Sequence, residues 1–142
     1  LLVEPEGVAF IGDIDLTGFG PYYGDTTSNL GDFRRTLARL PEVDAQVWVT
    51  SHHRGVYTER ALFLRDLARF ADKIDERTQR LLGWLADGPQ SLSQLAARRL
   101  LYPVGYEADW IADVEARSIA QHLDELIAQG EVRQEAGLFG LA

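Results

Sequence analysis

Two carboxylates stand at the end of one short apolar run, Val8-Ala9-Phe10-Ile11-Gly12-Asp13-Ile14-Asp15, and two imidazoles at the end of another, Val47-Trp48-Val49-Thr50-Ser51-His52-His53. A carboxylate is costly to desolvate unless a cation, a donor or water meets it. Asp13 or Asp15 behind a buried strand is therefore placed to hold a metal ion or to act on a substrate. Imidazole is a common metal ligand and proton carrier. Taken singly, each signal is weak, because Gly-Asp after a strand and polar residues at a strand end also make ordinary turns. The loop after the carboxylates, Phe19-Gly20-Pro21-Tyr22-Tyr23-Gly24-Asp25, is rich in glycine and aromatics, and long loops inside compact domains more often serve function than not.

The elements that must position these groups can be read from periodicity. Residues 7–13 predict a strand, and 14–28 a loop. Asn29 is a fitting N-cap for a helix with Asp32 in its first turn and an apolar stripe of Leu30, Phe33, Leu37 and Leu40; Pro41 stops it. Residues 45–50, β-branched and aromatic, predict the second strand. Parallel strands joined by a helix end on the same rim of a sheet, where such folds carry their sites. Asp13 and His52 (or His53) should then be neighbours across 39 residues of sequence. Two strands and a helix make too small a core to stand alone, which predicts sheet partners missing upstream.

From Thr58 onward the pattern is helical. Ala61, Leu64, Leu67, Ala68 and Ala71 make one stripe, and Ile74, Leu81, Leu82 and Leu85 another. The interruption near Asp72-Lys73 predicts two helices meeting at about residues 72–76. Asp87-Gly88-Pro89 ends the second. Ser91 caps a short helix with Leu92, Leu95, Ala96 and Leu100, and Tyr102-Pro103-Val104-Gly105-Tyr106 is a loop. A third helix covers about 111–129, with Ile111, Val114, Ile119, Leu123, Leu126 and Ile127 buried and Gly130 as its terminating glycine. Residues 131–134 and 138–141 predict a hairpin around Ala136-Gly137. The chain thus divides into an α/β unit, 1–72, and a mainly helical unit, 73–142.

Composition narrows the function classes. Of 142 residues, 46% are hydrophobic and 25% charged, as in a globular protein. No apolar run reaches the ~20 residues of a membrane helix, and Leu1-Leu2-Val3-Glu4-Pro5 is not a signal peptide, so a cytoplasmic protein without a membrane partner is expected. Absence of cysteine removes disulfides, zinc-thiolate sites and thiol nucleophiles. A formal net charge of −8 argues against nucleic acid as a partner. The chain has no methionine and opens on Leu-Leu-Val, which predicts a piece of a longer protein.

Three helices followed by a hairpin is the winged-helix plan. Together the two units resemble the C-terminal part of a metallo-β-lactamase-fold hydrolase with an appended winged-helix domain. Phe10-Ile11-Gly12-Asp13 resembles that superfamily's strand-ending Gly-Asp, and Ser51-His52-His53-Arg54-Gly55 its later Gly-His-Gly-like segment. Arg77 with residues 81–85 and 91–95 resembles the opening of the appended domain; residues 116–126 with Gly130-Glu131-Val132 resemble its closing helix and wing. The resemblance implies an αββα fold represented by its C-terminal half, and two metal ions, usually zinc, in the complete enzyme. Asp13 would bridge them and His52 complete the second ion's ligands, with Asp15 and His53 as the alternatives. Tyr22 or Tyr23 would wall the pocket and donate to a polarised oxygen of a small-molecule substrate.

One departure is large. The superfamily's His-x-His-x-Asp-His motif and the single histidine after it are absent. The resemblance therefore implies a missing N-terminal half, and a chain that is metal-free or binds metal loosely and is inactive by itself, with its exposed strand edges inclined to self-association. The alternative function is a winged-helix DNA-binding or protein-interaction module. For DNA, helix 111–129 offers Asp113, Glu115, Asp124 and Glu125 against Arg117 alone, with His122 turned toward the interior. The preferred reading for 73–142 is a packing and substrate-shaping module.

Overall fold

A computed structural model describes all 142 residues, which divide into two compact units. The first comprises Leu1–Pro21 and Gly31–Ile74, the second Tyr22–Leu30 and Asp75–Ala142. The aromatic loop segment Tyr22–Leu30 thus belongs with the helical part of the chain, which no local sequence pattern could have indicated. No helix is long and apolar enough to cross a membrane.

In the first unit, β1 (Leu2–Val3), β2 (Val8–Gly12), β3 (Val47–Thr50) and β4 (Val56–Tyr57) form one sheet in that order. β2 and β3 are parallel, and β1 and β4 pair antiparallel on the outside. The parallel pair requires a crossover, which carries helix α1 (Leu30–Arg39) and a short 3₁₀ turn, Leu40–Glu42, started by Pro41. The sequence indicates only β2 and β3. Two-residue strands such as β1 and β4 leave no periodic trace.

The two sheet faces differ in cover. Ala9, Trp48 and Tyr57 are register partners on one face, and all are buried. There Phe63, from helix α2 (Arg60–Ala86), stacks on Trp48 at 4.5 Å between ring centroids. On the opposite face Val3, Val8 and Val47 align in one row and Phe10, Val49 and Val56 in the next. Every one of these six is apolar and none is buried. A sheet with apolar side chains on both faces has the pattern of parallel strands covered on both sides.

α2 is one continuous helix of 27 residues rather than two meeting near 72–76. Its buried stripe runs Phe63, Leu67, Phe70, Ile74, Arg77, Leu81, Leu85, in steps of three and four. The expected break at Asp72-Lys73 comes from setting the first stripe on Ala61, Leu64, Ala68 and Ala71; the buried row passes instead through Phe63 and Phe70 and on to Arg77, only 4% exposed.

The second unit adds β5 (Gln90–Ser91), α3 (Leu92–Ala97), α4 (Ile111–Gln129), β6 (Val132–Glu135) and β7 (Leu138–Leu141). Ser91 caps α3 in a reciprocal capping box with Gln94, two backbone donors being satisfied at once. α4 ends at Gly130 in the left-handed conformation, φ 76°. β6 and β7 form the expected hairpin, its turn made by Ala136 and Gly137, both with positive φ, and β5 adds a third strand beside β7. Leu81, Leu85, Leu95, Leu100, Ile119, Leu123, Leu126, Val132 and Phe139 form its core. Ile127, expected inside, is 38% exposed, since it lies one step past the buried register of Ile119, Leu123 and Leu126.

Candidate functional site

The C-terminal ends of β2 and β3 bring together the groups that the sequence separates. His52 Nε2 lies 3.6 Å from Asp13 Oδ1, and His53 Nε2 lies 3.4 Å from Asp15 Oδ2. Both alternative pairings therefore exist in the same structure. Their environments differ: Asp13 is almost fully solvated, whereas the Asp15 side chain is 21% exposed.

Local chemistry explains how each half is held. Asp15 Oδ1 accepts from the backbone N–H and the hydroxyl of Thr17, at 3.1 and 3.0 Å, so its carboxylate is oriented by its own loop. On the other strand, Thr50 is buried and organises residues 51–55. Its hydroxyl donates to the carbonyl of His52 (2.6 Å) and accepts from Gly55 N–H (3.2 Å), while its own N–H donates to Gly55 O (2.8 Å). Ser51 N–H donates to Gly12 O at 2.9 Å, tying the two strand ends together where the acids and histidines begin. The turn forces His53 to φ 61°, a conformation disfavoured for a residue with a Cβ. Thr50 and Thr17 are thus positioning residues that the sequence reading missed. The available signal was a threonine at a strand end, one residue before the Ser-His-His segment.

Carboxylate oxygen and imidazole nitrogen are the right donor types for zinc or a similar divalent ion. The number of donors falls short: each pair supplies two, and no group of three or more His, Asp or Glu side chains that could hold a metal is present. The residues thus fit part of a metal site.

The tyrosines divide. Tyr22 is partly exposed, and Tyr102 lies within its electrostatic reach. Burial first, then the neighbouring phenols of Tyr22 and Tyr106, holds Tyr102 above the ordinary tyrosine value of 10.0. Tyr23 is fully buried. Its hydroxyl lies 2.7 Å from His122 Nε2 and accepts from Arg77 at 3.1 Å, and His122 Nδ1 lies 3.0 Å from the Thr78 hydroxyl. A phenol enclosed in such a network has no open face for a substrate, so its evident work is structural. His122 is buried, its ring held by Tyr23 and Thr78.

Glu115 also differs from the sequence reading. It is fully buried rather than displayed on α4, and its carboxylate accepts from the backbone N–H groups of Leu100, Leu101 and Tyr102 at 2.7 to 3.1 Å. Its position in the row Ile111, Val114, Glu115, Ser118, Ile119, His122 was the signal for burial. Arg117, the lone cation assigned to that helix surface, donates through Nε to the carbonyl of Gly24 at 2.8 Å.

No protein-family model matches the chain, and no curated protein matches it. Among solved structures, the chain is similar to a metallo-beta-lactamase family protein from Thermus thermophilus, with 23% identity and a TM-score of 0.68. The similarity covers 99% of this chain and 44% of that one, so the chain spans less than half the length of this neighbour. At this identity the likeness is one of fold: the chain is built as a mixed α/β part of a metallo-β-lactamase-type structure.

Proposed function

We propose that this chain is part of a metal-dependent hydrolase of the metallo-β-lactamase superfamily, with two zinc ions in the complete protein, and that by itself it is inactive. The observation that carries this reading is the pair of acid–imidazole contacts, Asp13 with His52 and Asp15 with His53, on the rim shared by parallel strands β2 and β3. Asp13 and His52 are the proposed ligands, with Asp15 and His53 as the rival pair. A bound zinc ion supplies water of lowered pKa as a nucleophile. This chain's own contribution is to hold the donors at fixed strand ends for a substrate that is a small molecule. A tight zinc site takes three or four protein donors, so the remaining ligands must come from other polypeptide.

The test is a zinc titration of the chain followed at the histidine side chains by NMR. Weak, saturable shifts at His52 and His53, without turnover of generic ester or phosphodiester substrates, are expected. No shift at either histidine at millimolar zinc would remove the metal reading, and robust turnover would remove the inactivity.

For the second unit we infer a winged-helix module, with α4 as its third helix and β6–β7 as its wing, serving packing and substrate shaping rather than DNA. Its support is the fate of the charges: Glu115 is internal, Arg117 is engaged by Gly24, and the remaining Asp113, Asp124 and Glu125 repel phosphates. Salt-sensitive retention of duplex DNA on a filter at low ionic strength would reverse this.

The open apolar face of Val3, Val8, Val47, Phe10, Val49 and Val56 supports a further part of the reading, that additional polypeptide covers this sheet. Without it the chain is expected to self-associate, and light scattering showing a monomer at high concentration would argue otherwise.

A further inference from the structure

In the loop leading into α4 three aromatic rings pack on one another, Tyr102 half-buried and Tyr106 and Trp110 exposed. Tyr102 and Tyr106 stack with centroids 5.3 Å apart at 20°, and Trp110 meets Tyr102 edge-on at 5.4 Å. Tyr106 and Trp110 remain 46% and 44% exposed. The Trp110 indole N–H has no partner in the protein.

This surface is built, not incidental. Glu115 takes the backbone N–H groups of Leu100, Leu101 and Tyr102, and a turn closes from Tyr106 N–H to Pro103 O at 3.1 Å. Rigid, half-exposed tyrosine and tryptophan are the side chains that anchor interfaces, because little conformational entropy is lost when a partner covers them.

Charge identifies the partner. No lysine or arginine occurs between Arg99 and Arg117, while Glu107, Asp109 and Asp113 lie within that span, and Arg77, the cation that acts on Tyr102, is buried. None of these three carboxylates makes an ion pair or a hydrogen bond. An aromatic face carries a negative quadrupole, and guanidinium, planar and weakly hydrated, stacks on it better than ammonium does. A second copy of the same patch would set Glu107, Asp109 and Asp113 against their own counterparts.

We propose that the Tyr102–Tyr106–Trp110 platform binds an arginine-bearing peptide segment of a protein partner, with guanidinium stacked on Tyr106 or Trp110 and paired with Glu107 or Asp109.

The test uses the full chain and three capped peptides of alternating glycine with arginine, lysine or citrulline, read by the NMR shift of the Trp110 indole N–H. That signal is assigned by Trp110→Phe. The arginine peptide is expected to shift it saturably, the lysine peptide to bind several-fold more weakly and the neutral citrulline peptide not at all. Tyr106→Ala combined with Trp110→Ala should weaken binding about tenfold, read by calorimetry. Glu107→Gln with Asp109→Asn should flatten its dependence on salt. Should the double alanine variant lose its fold by circular dichroism, Tyr106→Leu keeps the bulk and removes the quadrupole, and weaker binding is again expected.

Equal binding of lysine and arginine peptides, unaffected by ring removal, would mean diffuse attraction to an acidic chain and would overturn the proposal. Equal binding of the citrulline peptide would mean a merely apolar patch and would overturn it too. Loss of self-association in the Tyr106→Ala, Trp110→Ala variant, read by light scattering without peptide, would identify a second copy as the occupant and would equally overturn it.

Discussion

His53 Nε2 sits 3.4 Å from Asp15 Oδ2, a contact formed alongside that of His52 with Asp13. Of the two carboxylates, Asp15 is the one that is fixed, since Thr17 donates to it twice. A donor already oriented loses less entropy on binding a metal, and removing such support typically costs about ten- to hundredfold in affinity. Asp13→Asn, at the proposed ligand, is expected to weaken zinc binding by the chain. Calorimetric titration against Asp15→Asn and Thr17→Val checks this; a larger loss in those two variants would hand the role to the pre-oriented rival pair.

Tyr23 links three parts of the second unit through its hydroxyl, which serves Arg77 and His122 together. Tyr23→Phe keeps the ring and withdraws that acceptor from a buried cation. A loss of about 1–3 kcal/mol in unfolding free energy is expected, measured by urea denaturation.

Gly24 is required for a steric reason. A Cβ there would lie 2.5 Å from Val114 Cγ1 and 2.9 Å from Ser118 Oγ, both on α4. Gly24→Ala must push the loop from the helix and should destabilise the second unit by about 1–3 kcal/mol, seen as a lower urea midpoint. A substitution at Gly18, where a Cβ meets nothing within 4 Å, is the matched control.

Tyr57 sets an alkaline limit on the first unit. Burial, and then the Asp66 carboxylate, holds its phenol above the ordinary 10.0. The folded state therefore keeps this proton more firmly than the unfolded state. The associated stability is complete below the unfolded value near 10 and disappears as pH rises through the higher folded value. Urea midpoints should fall above pH ~10, and Tyr57→Phe should flatten that fall; a fall of unchanged steepness in the variant would contradict the assignment.

Legibility followed the range of the interactions. α4 could be read almost residue for residue, because its apolar spacing and Gly130 are local signals. The nearness of Asp13 and His52 followed from a topological rule, since parallel strands share a rim whatever their sequence separation. β1, β4 and β5 were illegible, being pairings of two residues chosen by their neighbours. Glu115 misled because a charge at a core position looks like surface until its partner is known. That partner, the turn at Leu100–Tyr102, lies in a loop without periodicity.

The continuity of α2 has a consequence for how this polypeptide can be recombined. Its first half belongs to one compact unit and its second half to the other, with the change at Ile74 and Asp75 and no intervening linker. Severing the chain anywhere from Arg60 to Ala86 cuts helical backbone rather than a tether. A graft of the C-terminal portion onto another protein would also leave behind Tyr23, whose hydroxyl Arg77 and His122 require. The helical portion is therefore not a cassette that one crossover can transplant: its inheritance is split across the chain, and residues 22–30 must travel with it.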